Sequence, residues 1–96
     1  MNYAGSPVKG GVMAETKIGH ITHYFGHVGV GAIQLTDGDL AVGDTIHIKG
    51  HTSDFNQVVE SMQIEHANVP KAVRGQNAGT KLNEHARVND TVFKVG

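Results

Sequence analysis

The amino-acid sequence predicts an all-β fold, a small closed or nearly closed antiparallel Greek-key barrel of about six strands. Three observations predict it. Thirteen glycines in 96 residues mark many tight turns. Short apolar alternations of period two recur, clearest in "DTIHIKG" (Asp44–Gly50). No long helical period appears, and turn signals return roughly every 8–12 residues, the spacing of a small barrel or sandwich.

The elements follow in order. Residues 1–14 read as a flexible leader or upstream extension, with Met13 as an alternative start, and residues 15–96 as a single β-barrel domain. "KIGHITHYF" (Lys17–Phe25) is a strand with Ile21, His23 and Phe25 on one face and His20, Thr22 and Tyr24 on the other. "GHVGVGAIQLT" (Gly26–Thr36) is the next, with Ile33 and Leu35 inward and three glycines that imply a bulge or a close backbone approach. "DGD" (Asp37–Asp39) turns the chain. In Asp44–Gly50, Ile46 and Ile48 point in while Thr45, His47 and Lys49 point out. "HTSDFN" (His51–Asn56) is a polar loop carrying one aromatic residue. "QVVESMQIEH" (Gln57–His66) places Val58, Met62 and Ile64 on one face, interrupted by Glu60. Its Glu, Met and Gln suit a helix, but the β-branched pair Val58-Val59 and the flanking strands favour a strand. "ANVPKAVRGQNAG" (Ala67–Gly79) is a connection with room for one 3₁₀ turn. "GTKLN" (Gly79–Asn83) and "DTVFKV" (Asp90–Val95) complete the set.

One device occurs twice. Val42-Gly43-Asp44-Thr45-Ile46 and Val88-Asn89-Asp90-Thr91-Val92 each make a tight turn and enter a strand. The second position calls for positive φ, which Gly43 adopts freely and which Asn89 tolerates best among other residues. The Asp44 and Asp90 carboxylates are placed to accept backbone N–H groups in their turns. The device is fold punctuation.

Composition narrows the function classes. Without cysteine there is no disulfide framework, thiolate metal site or cysteine nucleophile, which fits a cytoplasmic protein. Eight Lys and Arg against nine Asp and Glu give a formal net charge of −1, so there is no basic excess to hold nucleic acid by counterion release. Five aromatic residues, two Tyr and three Phe, leave little for stacking single strands. No stretch approaches the roughly 20 apolar residues of a membrane span.

The ordered series "LAVGDTIHIKG", "VESMQIEH", "VRGQNAG" and "VNDTVFKV" resembles the second-domain β-barrel of the translational GTPases, such as elongation factor Tu and initiation factor 2. It is most similar to the short stand-alone elongation-factor-like proteins of prokaryotes, from about Glu15 to Val95. Two departures stand out. The second turn has Asn89-Asp90 in place of Gly-Asp, and Gly75 is followed by Gln76, so one turn carboxylate is missing. There is also no GxxxxGK[ST] phosphate loop, which excludes nucleotide hydrolysis by these residues. The resemblance implies a role in translation or transfer-RNA metabolism. A similar barrel also resembles an appended domain of collagenase-like peptidases and related transfer-RNA-modifying proteins, which implies an accessory subunit docking onto a larger enzyme.

Catalytic chemistry finds little support. His20 and His23 are an odd number apart on a strand and face opposite sides, His27 lies beyond Gly26, and HExxH is absent. No metal, cofactor or catalytic residue is expected. Glu65-His66 and Glu84-His85 share a Glu-His-Ala-x-Val context, but strand neighbours point apart and cannot share a proton. His51, Ser53 and Asp54 crowd one loop without a nucleophile elbow. The candidate binding residues are Tyr24, Phe25 and Phe55, as an apolar rim, with Lys71 and Arg74 from the basic set Lys71, Arg74, Lys81 and Arg87. Gly43, Asp44, Gly75, Asn89 and Asp90 are turn residues.

The sequence therefore reads as a non-catalytic binding module with a protein or ribonucleoprotein partner and only weak RNA contact of its own. The alternative is an accessory subunit of a collagenase-like peptidase or RNA-modifying enzyme. A histidine-based metalloenzyme ranks last.

Overall fold

Alternating side chains organise the molecule, as the burial of β4 shows: Ile46 and Ile48 are wholly buried while Thr45, His47 and Lys49 lie outward. The computed structural model describes residues 14–96, so the expected leader lies outside the described residues except for Ala14. Among them ten strands follow one another: β1 (Glu15–Phe25), β2 (Val30–Leu35), β3 (Leu40–Ala41), β4 (Thr45–Lys49), β5 (Asp54–Val58), β6 (Met62–Ile64), β7 (Ala67–Asn68), β8 (Lys71–Ala72), β9 (Asn77–Lys81) and β10 (Thr91–Val95). There is no helix among the described residues. Eight strands form one antiparallel sheet in the order β5-β4-β10-β1-β2-β9-β6-β7, and β3 pairs with β8. The core gathers Ile18, Ile21, Ile33, Leu35, Leu40, Ile46, Ile48, Val59, Met62 and Val92 from across the chain.

The fold is all-β and antiparallel, but among the described residues the sheet does not close into a barrel, and β5 and β7 are its edge strands. The expected single strand over Gln57–His66 is two strands that part company. Val59 turns fully inward, exchanging backbone hydrogen bonds with Gly43 and Asp44, and β6 leaves to pair with β9. Val58, expected to share a face with Met62, is therefore exposed. One side chain bridges the space between β5 and the end of β9. The buried Gln57 amide donates to the Lys81 carbonyl at 2.8 Å, and its Oε1 accepts the Asn83 N–H at 2.7 Å.

The repeated turn occurs three times. In Ala41–Asp44, Val73–Gln76 and Arg87–Asp90, the last residue's N–H donates to the first residue's carbonyl at 3.0 Å. The last residue's side chain accepts the first residue's N–H, at 2.9 Å for Asp44 Oδ2, 2.8 Å for Gln76 Oε1 and 2.9 Å for Asp90 Oδ2. The third residue has positive φ in each: 99° at Gly43, 98° at Gly75 and 78° at Asn89. Its N–H then donates to the carbonyl of a fully buried aliphatic residue on another segment, Val59, Leu35 or Ile21, whose own N–H returns to the carbonyl of the turn's last residue. This is a β-bulge with a left-handed first residue, which bends the strand around the core. The missing carboxylate after Gly75 is no loss, because the Gln76 amide oxygen takes its place.

A bulge also corrects the faces of β1. The register shifts between Ile21 and His23, so His20 pairs with Gln34 and His23 with Ala32, both on the outer face. Tyr24 then packs on the core and Phe25 faces out. The odd-number argument that set His20 and His23 on opposite sides fails for this reason.

Candidate functional site

Three surface features carry the chemistry. The first is an apolar groove of about 380 Å³ beside the β1–β2 turn. Phe25 and Val28 from that turn form one wall, Val30 and Ala32 on β2 the floor, and Gln63, Glu65 and His66 of the β6–β7 hairpin the other wall. Phe25 is 48% exposed and Val28 57%. His23 stacks against Phe25 with ring centroids 4.2 Å apart. The hairpin wall is strained. Glu65 and His66 form its two-residue turn with φ of 52° and 69°. Both central residues of this turn type need positive φ, where Asn-Gly is favoured and side chains such as Glu and His are not.

The predicted rim is not one surface. Phe55 is a core residue on β5, because the "HTSDFN" segment is partly strand and Phe55 alternates inward. Tyr24 lies on the other side of β1 from Phe25 and stacks on His85 with centroids 4.4 Å apart. Phe25 alone lines the groove.

A second feature is a shallow polar cleft of about 620 Å³ lined by Asp37, Asp39, Val73, Arg74 and Lys94. Arg74 lines this cleft and Lys71 does not, but both meet Asp39, Lys71 through its side chain and Arg74 through its backbone. Lys71 Nζ lies 3.7 Å from Asp39, the Arg74 N–H donates to Asp39 Oδ1 at 3.2 Å, and Lys94 pairs with Asp44 at 3.4 Å. Arg87 is elsewhere, donating from Nε to the Thr52 hydroxyl at 2.8 Å. The four basic residues do not form one patch.

The third feature was missed in the sequence. His47 Nδ1 lies 2.9 Å from both oxygens of Glu15, and its Nε2 lies 2.6 Å from Asp54 Oδ1. The hydrogen bonds to Glu15 and then Asp54 hold the imidazole above its ordinary pKa, against partial desolvation. Asp54 is held below the usual carboxylate range, chiefly by the His47 hydrogen bond. Both imidazole nitrogens are occupied by carboxylates, so neither is free to take a proton from a substrate. Glu15 lies 32 positions before His47, and only the sheet order brings them together. Among the described residues no three His, Asp or Glu side chains converge on a metal position.

Glu65-His66 and Glu84-His85, which share a local sequence, differ in structure: the first is the strained turn, the second an exposed stretch leading into the Arg87–Asp90 turn. Among the described residues no helix is long and apolar enough to cross a membrane.

This architecture has known counterparts. No protein-family model matches the chain. Over 80 residues it is 41% identical to an uncharacterised protease of Methanocaldococcus jannaschii, covering 82% of this chain and 19% of that protein. Over 81 residues it is 32% identical to a collagenase of Porphyromonas gingivalis, covering 83% of this chain and 22% of the collagenase. The chain thus spans about one-fifth of the length of the curated relatives it matches. Among solved structures, the fold is similar to the C-terminal domain of a candidate U32 peptidase of Geobacillus thermoleovorans. The TM-score is 0.75 at 20% identity, covering 83% of this chain and 91% of that one. These findings overturn the kinship with translational GTPases and with elongation-factor-like proteins. The turn motifs that carried it specify left-handed bulges, which many small β-domains can use, and so they report backbone geometry better than ancestry.

Proposed function

We propose that this chain is a non-catalytic docking domain of a collagenase-like peptidase system, and that it meets the catalytic body through the groove beside the β1–β2 turn. The observation that carries this reading is its match to about one-fifth of proteins named as protease and collagenase. A separately folded C-terminal domain of a candidate U32 peptidase has the same fold. In such an arrangement the remaining chain supplies the chemistry and this fold supplies a surface. The groove suits that task, with two exposed apolar side chains at its lip and polar groups along its rim.

The test uses the Methanocaldococcus jannaschii protease from which the matching 80-residue stretch has been removed. Mixed with the present chain, it should form a one-to-one complex by light scattering, and Phe25→Asp with Val28→Asp should abolish that complex while leaving the fold intact by circular dichroism. No association at tens of micromolar, or peptide hydrolysis by the present chain alone, would sink the reading.

A further inference from the structure

We propose that His47 is a pH-sensitive clasp that fastens β5, the edge strand of the sheet among the described residues, and the first residue of β1 onto the outer face of the sheet, and that deprotonating it loosens that edge. The register places the groups. Glu15 pairs with Val95 and Val95 with Thr45; Lys17 pairs with Phe93, Phe93 with His47 and His47 with Asn56; Thr91 pairs with Lys49 and Lys49 with Asp54. Directly paired side chains share a face, so His47 stands at the centre of a four-strand outer surface. Its ring reaches diagonally to Glu15 two strands away in one direction and to Asp54 on the adjacent edge strand in the other. The Phe93 ring lies between His47 and β1, its centroid 5.9 Å from the imidazole.

A neutral imidazole has one N–H and one lone pair. With carboxylate oxygens at both nitrogens, the neutral ring would set its lone pair against one of them. Only the imidazolium donates to both. Among the described residues, the other charged or titratable groups on this face are Lys17 and His20 on β1 and Lys49 on β4; β5 contributes only Asp54, and β10 presents Thr91, Phe93 and Val95. Lys49 favours the ionised Asp54, which keeps the clasp's anionic half in place.

The clasp matters because of where β5 sits. Its Val58 side is held by the Val59 N–H donating to the Asp44 carbonyl, by the Gly43 N–H donating to the Val59 carbonyl, and by the Gln57 bridge to β9. At its Asp54 side the Gly50 N–H donates to the Ser53 carbonyl at 2.8 Å, and the His47–Asp54 contact is the side-chain tie to the neighbouring strand. Folding raises the proton affinity of His47, so its contribution is complete below the ordinary histidine value of 6.5 and is lost as pH rises through the folded value. Folding lowers that of Asp54, so its contribution is present above 3.8 and is lost as pH falls through its folded value. The clasp is closed between the two. This inference does not depend on the docking reading.

Nuclear magnetic resonance of the isolated chain tests it from about pH 5 to 9, following imidazole nitrogen shifts and amide protection corrected for intrinsic exchange. His47 should stay protonated on both nitrogens as pH passes the ordinary histidine value of 6.5. Protection in β4 and β5 should fall roughly two- to fivefold across the His47 transition, the size of an exposed ion pair, while β2 and β9 stay level. Glu15→Gln with Asp54→Asn should return His47 to the ordinary range and remove the step. His47→Gln, which cannot titrate, should show no step and keeps the test open if the double variant folds poorly. His47 losing its proton at or below the ordinary histidine value of 6.5, or β5 protection that ignores its titration, would overturn the proposal.

Discussion

The three clasped turns and the β6–β7 hairpin solve one backbone problem in opposite ways. Both need positive φ in a tight reversal. In the clasped turns the left-handed site holds Gly43, Gly75 or Asn89, and a side chain at the next position ties the turn shut. Each is then anchored to a fully buried aliphatic residue. In the hairpin, two consecutive left-handed sites hold Glu65 and His66, both exposed. The strand pairs behind them are Ile64 with Ala67 and Gln63 with Asn68, reinforced by the Gln63 amide donating to Asn68 Oδ1 at 3.0 Å on the surface. Strain is absent where the fold is determined and present beside the apolar groove. Unfavourable backbone persists where surrounding structure or function holds it, and this difference separates turns tied to the core from a turn beside the proposed docking groove.

The strongest way to break the comparison is to remove the clasps. Asp90 is buried, Asp44 is half-buried and shared with Lys94, and Gln76 is neutral and nearer solvent. Replacement by alanine should cost about 2–3 kcal/mol at Asp90, about 1–2 at Asp44 and about 0.5–1 at Gln76, following the charge and burial of the acceptor. Urea denaturation of the three variants would give the order. Equal costs, or a larger cost at Gln76, would show that the clasp does not stabilise these turns in the way claimed. A related close approach can be tested alongside: a Cβ at Gly50 would overlap the Asp90 carboxylate, so Gly50→Ala should resemble Asp90→Ala.

Substitution at Asn89 sharpens the same point at smaller amplitude. Asn89→Val forces a β-branched residue to φ near 78° and should cost about 1–2 kcal/mol, whereas Asn89→Gly should be neutral or slightly stabilising. Denaturation midpoints separate the two, and equal stability of the variants would show that position 89 does not demand a left-handed residue.

Legibility in the sequence follows the same divide. The strand at Asp44–Gly50 and the Val42–Asp44 and Val88–Asp90 turns could be read because their determinants are local: alternation, a glycine or asparagine, and a carboxylate. Gln76 looked like a defect because a carboxylate was expected where any side-chain oxygen at that reach suffices. The β1 bulge was invisible because it depends on pairing with β2, so Phe25 and Tyr24 were placed on the wrong faces. Phe55 sat among polar neighbours and only the fold reveals its inward alternation. The Glu15–His47–Asp54 set spans three strands whose adjacency no local pattern encodes.

The hairpin offers the converse experiment. Glu65→Asn with His66→Gly gives the residue pair this turn type favours and should stabilise the chain by about 1 kcal/mol, raising Tm by roughly 4–8 °C for a domain of this size. If the groove is the docking surface, the same double variant should weaken complex formation while strengthening the fold, because His66 and Glu65 line it. Unchanged Tm would mean the two left-handed residues carry no strain, and the contrast with the clasped turns would fail.

The smallest expected effect lies beneath that hairpin. Thr80 on β9 pairs with Met62 of β6 and with Gly31 of β2, and its side chain points into the core. Its Oγ1 is buried without a hydrogen-bond partner among the described residues. A buried hydroxyl without a partner has been desolvated with no compensating bond. Valine has nearly the same shape and no such group. Thr80→Val should therefore be neutral to stabilising by up to about 1 kcal/mol, whereas a hydroxyl doing structural work would make the same change destabilising. The effect should remain when combined with the hairpin double variant, because the two changes relieve separate penalties, one in the core and one in the turn. Differential scanning calorimetry of the single, double and triple variants would decide it. Loss of stability on Thr80→Val would show that the hydroxyl has a partner in solution, and that the β6–β9 region is as well satisfied as the clasped turns.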